Sequence, residues 1–178
     1  AYHQGRVETE TCGDSYVFFS YVGLAELAAR NHEFPAAYHW LREAERLTQW
    51  RHVPEARFRG ILSLITALTW LHQGKLKKAR AALSHVLESY ENQAYLAPSG
   101  FYELLPRVQR CLAVVDLLAG RATQAVGVLQ ALIEQNLQTQ RLGLACECRF
   151  TLAEALLQCG RHGEAEQALR KALVEAAR

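Results

Sequence analysis

Two short groups of side chains carry the atoms from which metal sites and catalytic nucleophiles are made: Cys146-Glu147-Cys148, and His32-Glu33 with His39 further on. Spacing argues against such chemistry in both. A helix has about 3.6 residues per turn, so residues two apart project to nearly opposite sides and cannot close on one ion. Cys159 returns to the side of Cys148 but lies about three turns away. The metalloprotease pair needs its second histidine four residues on; here the interval is seven, and Pro35 opens a new element between. Neither the Gly-x-Ser-x-Gly elbow that presents a nucleophile nor the Gly-x-x-x-x-Gly-Lys-Ser/Thr phosphate loop occurs. The cysteines read as small packing residues, and His72, His85 and His162 as helix-end or surface histidines. The expectation is a chain that is not an enzyme, with no metal and no cofactor.

The elements that would position any site are helical. Half of the 178 residues are hydrophobic and 21% are charged, the balance of a globular chain rather than a disordered one. Ala, Leu, Arg, Glu and Gln dominate, all good helix formers, and no Asn-Gly or Asp-Gly hairpin signal occurs. The 20 basic and 18 acidic residues leave a net charge of +2, without the concentrated basic stripe of a nucleic-acid surface. The densest basic run, Lys75 to Arg80, reads as a solvated helix face. Five cysteines, an odd number, suit reduced thiols and a cytoplasmic setting. The longest apolar stretch, 60–71, is broken by Ser63, Thr66 and Thr69 and is short for a bilayer. The chain starts at Ala1, has no methionine, and stops within a helical pattern at Glu175 to Arg178. We therefore expect a fragment of a longer protein, with 1–13 a linker or poorly ordered start and 14–178 one repeat domain.

Four stretches share one layout, anchored on the turn residues His32, Gly74, Gly120 and Gly160. Seven residues before each turn stands an alanine: Ala25, Ala67, Ala113 and Ala153. Five after it stands another: Ala37, Ala79, Ala125 and Ala165. A leucine follows at nine (Leu41, Leu83, Leu129, Leu169) and an apolar residue at twelve (Ala44, Val86, Leu132, Ala172). Small residues at a crossing let two helix backbones approach closely, with larger side chains filling the groove beside them. A glycine between them supplies the left-handed conformation that ends the first helix. The pattern predicts eight antiparallel helices in four pairs: 14–30, 35–50, 54–73, 75–92, 100–119, 121–138, 141–159 and 161–177. Asp14 or Ser15 would cap the first helix, Pro35 and Pro54 suit first turns, and Pro106 should kink the fifth helix or mark its true start. Helix pairs of this kind stack into an all-α superhelix, an α-α solenoid with a concave wall.

This layout resembles the tetratricopeptide repeat, most closely from Leu152 to Leu173, and the Gly160-Arg161 turn with Glu164-Ala165 is similar to that of MalT-like bacterial transcription regulators. The resemblance covers about residues 14–178 and implies the sensor region of a LuxR-family protein. In such proteins a nucleotide-binding module precedes the repeats and a helix-turn-helix follows them. It further implies that an inducer binding the repeats relieves autoinhibition and favours self-association. Neither the phosphate loop nor a basic recognition helix is present, so direct nucleic-acid contact is not expected of these residues.

In the tetratricopeptide fold the inner wall is lined by first-helix residues 13, 10, 6, 3 and 2 positions before the turn. Carried onto this chain, the rule selects Phe19, Val22, Glu26, Ala29 and Arg30, then Ile61, Leu64, Leu68, Leu71 and His72. It next selects Arg107, Arg110, Val114, Leu117 and Leu118, and finally Glu147, Phe150, Glu154, Leu157 and Gln158. The expected binding residues are Phe19, Glu26, Arg30, His72, Arg107, Arg110, Glu147, Phe150, Glu154 and Gln158. Aromatic area beside charged groups suits a small-molecule inducer or a protein or peptide partner. Against this, Arg107 and Arg110 could merely pair with Glu147 or Glu154 across neighbouring helices. Tyr95, Phe101 and Tyr102 could form a lid or simply pack. The alternative functions are a stand-alone scaffold or chaperone adaptor binding peptides, and a regulatory appendage on an enzyme.

Overall fold

The computed structural model describes residues 14–50, 55–91 and 104–176, and within them the side chains of 17–48, 58–89 and 104–176. All the described residues are helix or tight turn. The helices are α1 (Asp14–Arg30), α2 (Phe34–Trp50), α3 (Glu55–His72), α4 (Leu76–Glu91), α5 (Leu104–Leu118), α6 (Ala122–Gln138), α7 (Leu142–Gln158) and α8 (His162–Ala176). Their bounds fall close to those expected from the periodicity. The fifth opens at Leu104, so Pro106 sits in its first turn, where the missing N–H leaves no helical bond unmade. The segment 1–13, Pro54, Tyr95, Phe101, Tyr102 and the side chains of Asp14 and Ser15 lie outside the described residues.

Each helix pair is joined by one backbone device. His32, Gly74, Gly120 and Gly160 all hold positive φ, between 61° and 78°. The turn residue donates its N–H to the carbonyl three back, and its successor donates to the carbonyl five back, as in Gly120 N to Leu117 O at 3.0 Å and Arg121 N to Asp116 O at 2.8 Å. This is the Schellman closure, which satisfies carbonyls that the helix end would otherwise leave bare. The successor's own carbonyl then accepts the N–H of the alanine five residues past the turn: Ala37, Ala79, Ala125 or Ala165. One capping geometry thus ends the first helix and starts the second.

A fifth copy joins α6 to α7, and the repeat alignment did not reveal it. Gln140 has φ 58° and the same two bonds, and Arg141 O accepts from Ala145 N at 3.0 Å. The signal was present, because Gln140-Arg141 with Ala145 matches Gly120-Arg121 with Ala125 except at the turn residue itself. Gln140 lies midway between Gly120 and Gly160, so turns recur at equal intervals through this part of the chain.

The alanines do what the crossing requires. Ala25, Ala67, Ala37, Ala79 and Ala125 are wholly inaccessible, and Ala113, Ala153 and Ala165 nearly so. Leu83 and Leu129 fill the adjoining grooves, each fully buried; a side chain of that size contributes roughly 1.5–3 kcal/mol.

The chain forms two compact units, Ala1–Ser89 and Tyr90–Arg178. Within the first, α3 lies against both α1 and α2. Within the second, α7 lies against both α5 and α6, and α8 packs back on α7. A first helix laid on the whole preceding pair is the stacking step of an all-α helical repeat. In the second unit one continuous core runs from Ala113 and Leu117 through Leu129 and Ile133 to Leu152, Leu156 and Ala168.

The αL positions give a direct test. Gln140 is exposed, and a non-glycine residue in that region costs roughly 1–2 kcal/mol. Allowing for glycine's greater unfolded-state entropy, Gln140→Gly should raise stability by about 0.5–1 kcal/mol in urea denaturation. Gly120→Ala meets no neighbouring atom yet must adopt φ 78°, so it should lower stability by about 1 kcal/mol.

Candidate functional site: the faces of the first helices

In the second unit α7 is flanked by α5, α6 and α8, which leaves it a single open stripe. Glu147, Phe150, Glu154, Leu157 and Gln158 all stand on that stripe, and all are exposed. Leu118 joins them from the end of α5, 55% exposed. The first unit brings its expected residues to the face of α1 and the end of α3. Phe19 is 41% exposed at the rim of an aromatic cluster, its ring 6.1 Å from Phe58, while Phe18 and Phe58 meet edge to face at 4.3 Å.

The expected lining separates into two sets. Residues 13, 6 and 2 before the turn stay at least partly open in every first helix: Phe19, Glu26 and Arg30; Ile61, Leu68 and His72; Arg107, Val114 and Leu118; Glu147, Glu154 and Gln158. Residues 10 and 3 before the turn close wherever another first helix lies over them. Val22 and Ala29 are 7% and 0% exposed in α1, and Leu117 is 4% exposed in α5. Leu64 is buried as well. Val22, Ala29 and Leu117 therefore belong to the seam between stacked helices rather than to a lining, and Leu64 belongs to the core of the first unit.

Charges on the face are partly paired. Arg110, at a seam position, reaches from α5 to α7 and meets Glu147 at 2.9 Å, with its side chain 17% exposed and that of Glu147 49%. This is the pairing weighed from the sequence, and at such exposure it stabilises by about 1 kcal/mol or less. Arg107, half-buried, is engaged as well. Arg30 and Glu26 pair at 2.8 Å along α1.

The cysteines sit behind this face. Cys148 is fully buried, and burial pushes its thiol up to about 11; Arg110 opposes the shift, while Glu147 and Cys111 add to it. At neutral pH it is a protonated packing group and a poor nucleophile. The Cys146 thiol donates to the Ala172 carbonyl at 3.4 Å. Arg149 stands where the other turns place leucine nine residues on. It is 8% exposed, its pKa lowered by burial, and it forms an ion pair with Glu175 of α8.

One contact was missed in the sequence. His32, read from the sequence as a turn residue and as an unsuitable metal ligand, sets its ring perpendicular to that of His72 at 5.8 Å and to Phe34 at 5.7 Å. The two turns it joins are also tied by the Tyr38 hydroxyl donating to Gln73 Oε1 at 3.1 Å. Repeat-to-repeat neighbours such as these lie too far apart in the chain for any local motif to link them.

Among the described residues no group of three or more His, Cys, Asp or Glu side chains could hold a metal ion, and no helix is long and apolar enough to cross a membrane. The family model for the MalT-like TPR region matches residues 6–178. No curated protein and no solved structure matches the chain.

His72 makes the face of the first unit pH-sensitive. Partial burial lowers its pKa below the usual 6.5, His32 and Arg30 push the same way, and Glu26 opposes them. Protonation is therefore disfavoured in the folded state. The stability this confers is complete above the unfolded value and is lost as pH falls through about 6.5 towards the lower folded value. The urea midpoint should drop between about pH 7.5 and 5.5, and His72→Gln should flatten that part of the drop.

Proposed function

From membership of the MalT-like TPR family, to which this chain belongs, we propose that it is the sensor region of a transcription regulator and binds an effector on the open face of its first helices. The observation that supports this reading is the division of the lining by stacking. Positions 13, 6 and 2 before each turn remain open after the helices have packed, and they carry Phe19, Glu26, Arg30, His72, Glu147, Glu154 and Gln158. In the first unit an aromatic ring shares the open positions with a carboxylate, a guanidinium and an imidazole; in the second, two carboxylates and an amide share the face of α7. Such a surface gives a polar small molecule or a peptide both contact area and orienting hydrogen bonds.

Sensing follows physically if the effector binds one arrangement of the regulator more tightly than another. A ligand shifts a conformational equilibrium only by its difference in affinity for the two states. In this reading the repeats supply binding alone, and any nucleotide hydrolysis or DNA contact belongs to other modules. Self-association on effector binding is part of the same proposal.

A thermal-shift screen of sugars, other metabolites and peptides tests it. A true effector at a hundredfold excess over its Kd should raise Tm by about 5–10 °C for a chain of this size. Arg30→Ala or Glu154→Ala should cut that shift while leaving the unliganded Tm nearly unchanged, since both side chains project from exposed positions. If no compound stabilises the chain, or if these variants leave the shift intact, the reading fails.

A further inference from the structure

A cation follows the turn residue in four of the five described turns: Lys75, Arg121, Arg141 and Arg161. In the second unit these cations are engaged within the chain. Arg121 Nε donates to Asp116 Oδ1, four places before the turn, at 2.8 Å. Arg161 donates through Nε and Nη2 to both oxygens of Glu164, four places after the turn, at 2.7 and 2.6 Å. Arg141 is engaged as well. The turn thus offers two places from which a carboxylate reaches the cation beside it. At Gly74 neither place holds one, because Trp70 stands before the turn and Lys78 after it. The backbone there is the same, with Gly74 at φ 71° and Lys75 N donating to Trp70 O at 2.8 Å.

Lys75, Lys77 and Lys78 are all exposed, and among the described residues no carboxylate pairs with any of them. Arg80, the fourth cation of the run, is half-buried and engaged. The first turn of α4 carries no acidic residue, so its lysines also face the positive end of their own helix. Lys75 and Lys78 are three residues apart, on one side, where like charges repel. We propose that the Gly74 turn binds an acidic segment of a partner protein, with an Asp or Glu carboxylate set between Lys75 and Lys78 as Glu164 is set beside Arg161. The chain's own turns answer this cation with a carboxylate. Phosphate recognition favours the planar guanidinium fork, and the one arginine of the run is already engaged. A nucleic-acid surface needs a longer basic stripe than one helical turn. The inference rests on ion pairing at the turns and stands apart from the effector face, to which none of these lysines belongs.

The test uses the whole chain and two fluorescein-labelled peptides, one with a run of glutamates flanked by glycine and serine, the other with glutamines in their place. By fluorescence anisotropy at low ionic strength the glutamate peptide should bind saturably, about tenfold or more tightly than the glutamine peptide, and should lose affinity as salt is raised. Lys78→Glu rebuilds within the chain the pair that Arg161 makes with Glu164. It should weaken the glutamate peptide by about five- to tenfold while the unliganded Tm stays level or rises. Lys75→Gln should weaken it by about two- to fivefold. Lys171→Glu makes the same change of charge at an exposed site on α8 and should leave binding within about twofold. The proposal is overturned if the glutamate peptide shows no saturable binding, or if Lys78→Glu has no more effect than Lys171→Glu. Tighter binding of a labelled single-stranded oligonucleotide of equal charge would overturn it too. Lys78→Glu should leave any effector-induced Tm shift in place. Peptide binding without an effector shift would sink the sensor reading alone, and an effector shift without peptide binding would sink this proposal alone.

Discussion

A single residue in the left-handed region at the end of a helix is the constraint on which the rest of this protein depends. Two backbone bonds close each such turn, and the next carbonyl along begins the following helix at an alanine. Three residues suffice to reverse the chain, so the second helix has no choice but to run back along the first. The device works with glycine at Gly74, Gly120 and Gly160, and it works with His32 and Gln140 at some cost in backbone strain. The hydrogen-bond pattern, more than the residue type, defines the repeat.

Close approach then follows from size. The alanines seven before and five after the turn are almost completely buried, and any larger side chain there would push the helices apart at a cost of roughly 1–3 kcal/mol. Once a pair is formed, its outer groove is apolar and needs a cover. Within each unit the next first helix provides it, α3 over the first pair and α7 over the α5–α6 pair. That second step divides each first-helix face into seam positions that close and wall positions that stay open. The open positions are thus a by-product of packing, those the stack does not consume.

Several ion pairs among the described residues are short-range along the chain. Arg30 with Glu26, Arg46 with Glu43, Arg161 with Glu164 and Arg170 with Glu166 are three or four residues apart, and pairs of this kind contribute only a few tenths of a kcal/mol each. Arg110 with Glu147 and Arg149 with Glu175 differ, since each joins two helices. Arg149 occupies a place that elsewhere belongs to leucine and is nearly buried there. A buried guanidinium without its carboxylate would be strongly destabilising, so Glu175 fixes how α8 meets α7.

The sequence by itself determined the helices, their pairing and the positions of the crossings, because all three depend on neighbours within about a dozen residues: a turn residue, an alanine on either side, a leucine beyond. The fifth turn escaped notice only because Gln140 does the work of glycine, a substitution that the backbone tolerates and composition does not advertise. The expected binding residues of each first helix were also legible as a face, since helical spacing and the resemblance to the tetratricopeptide repeat together set them on one side. Tertiary structure alone decided which of that face survives stacking, why Val22, Ala29 and Leu117 vanish into a seam while Phe150 and Leu157 stay open, and why His32 meets His72. The physical reason is range: a helix's own periodicity says which residues share a side, but only the neighbour packed against that side says whether water still reaches them.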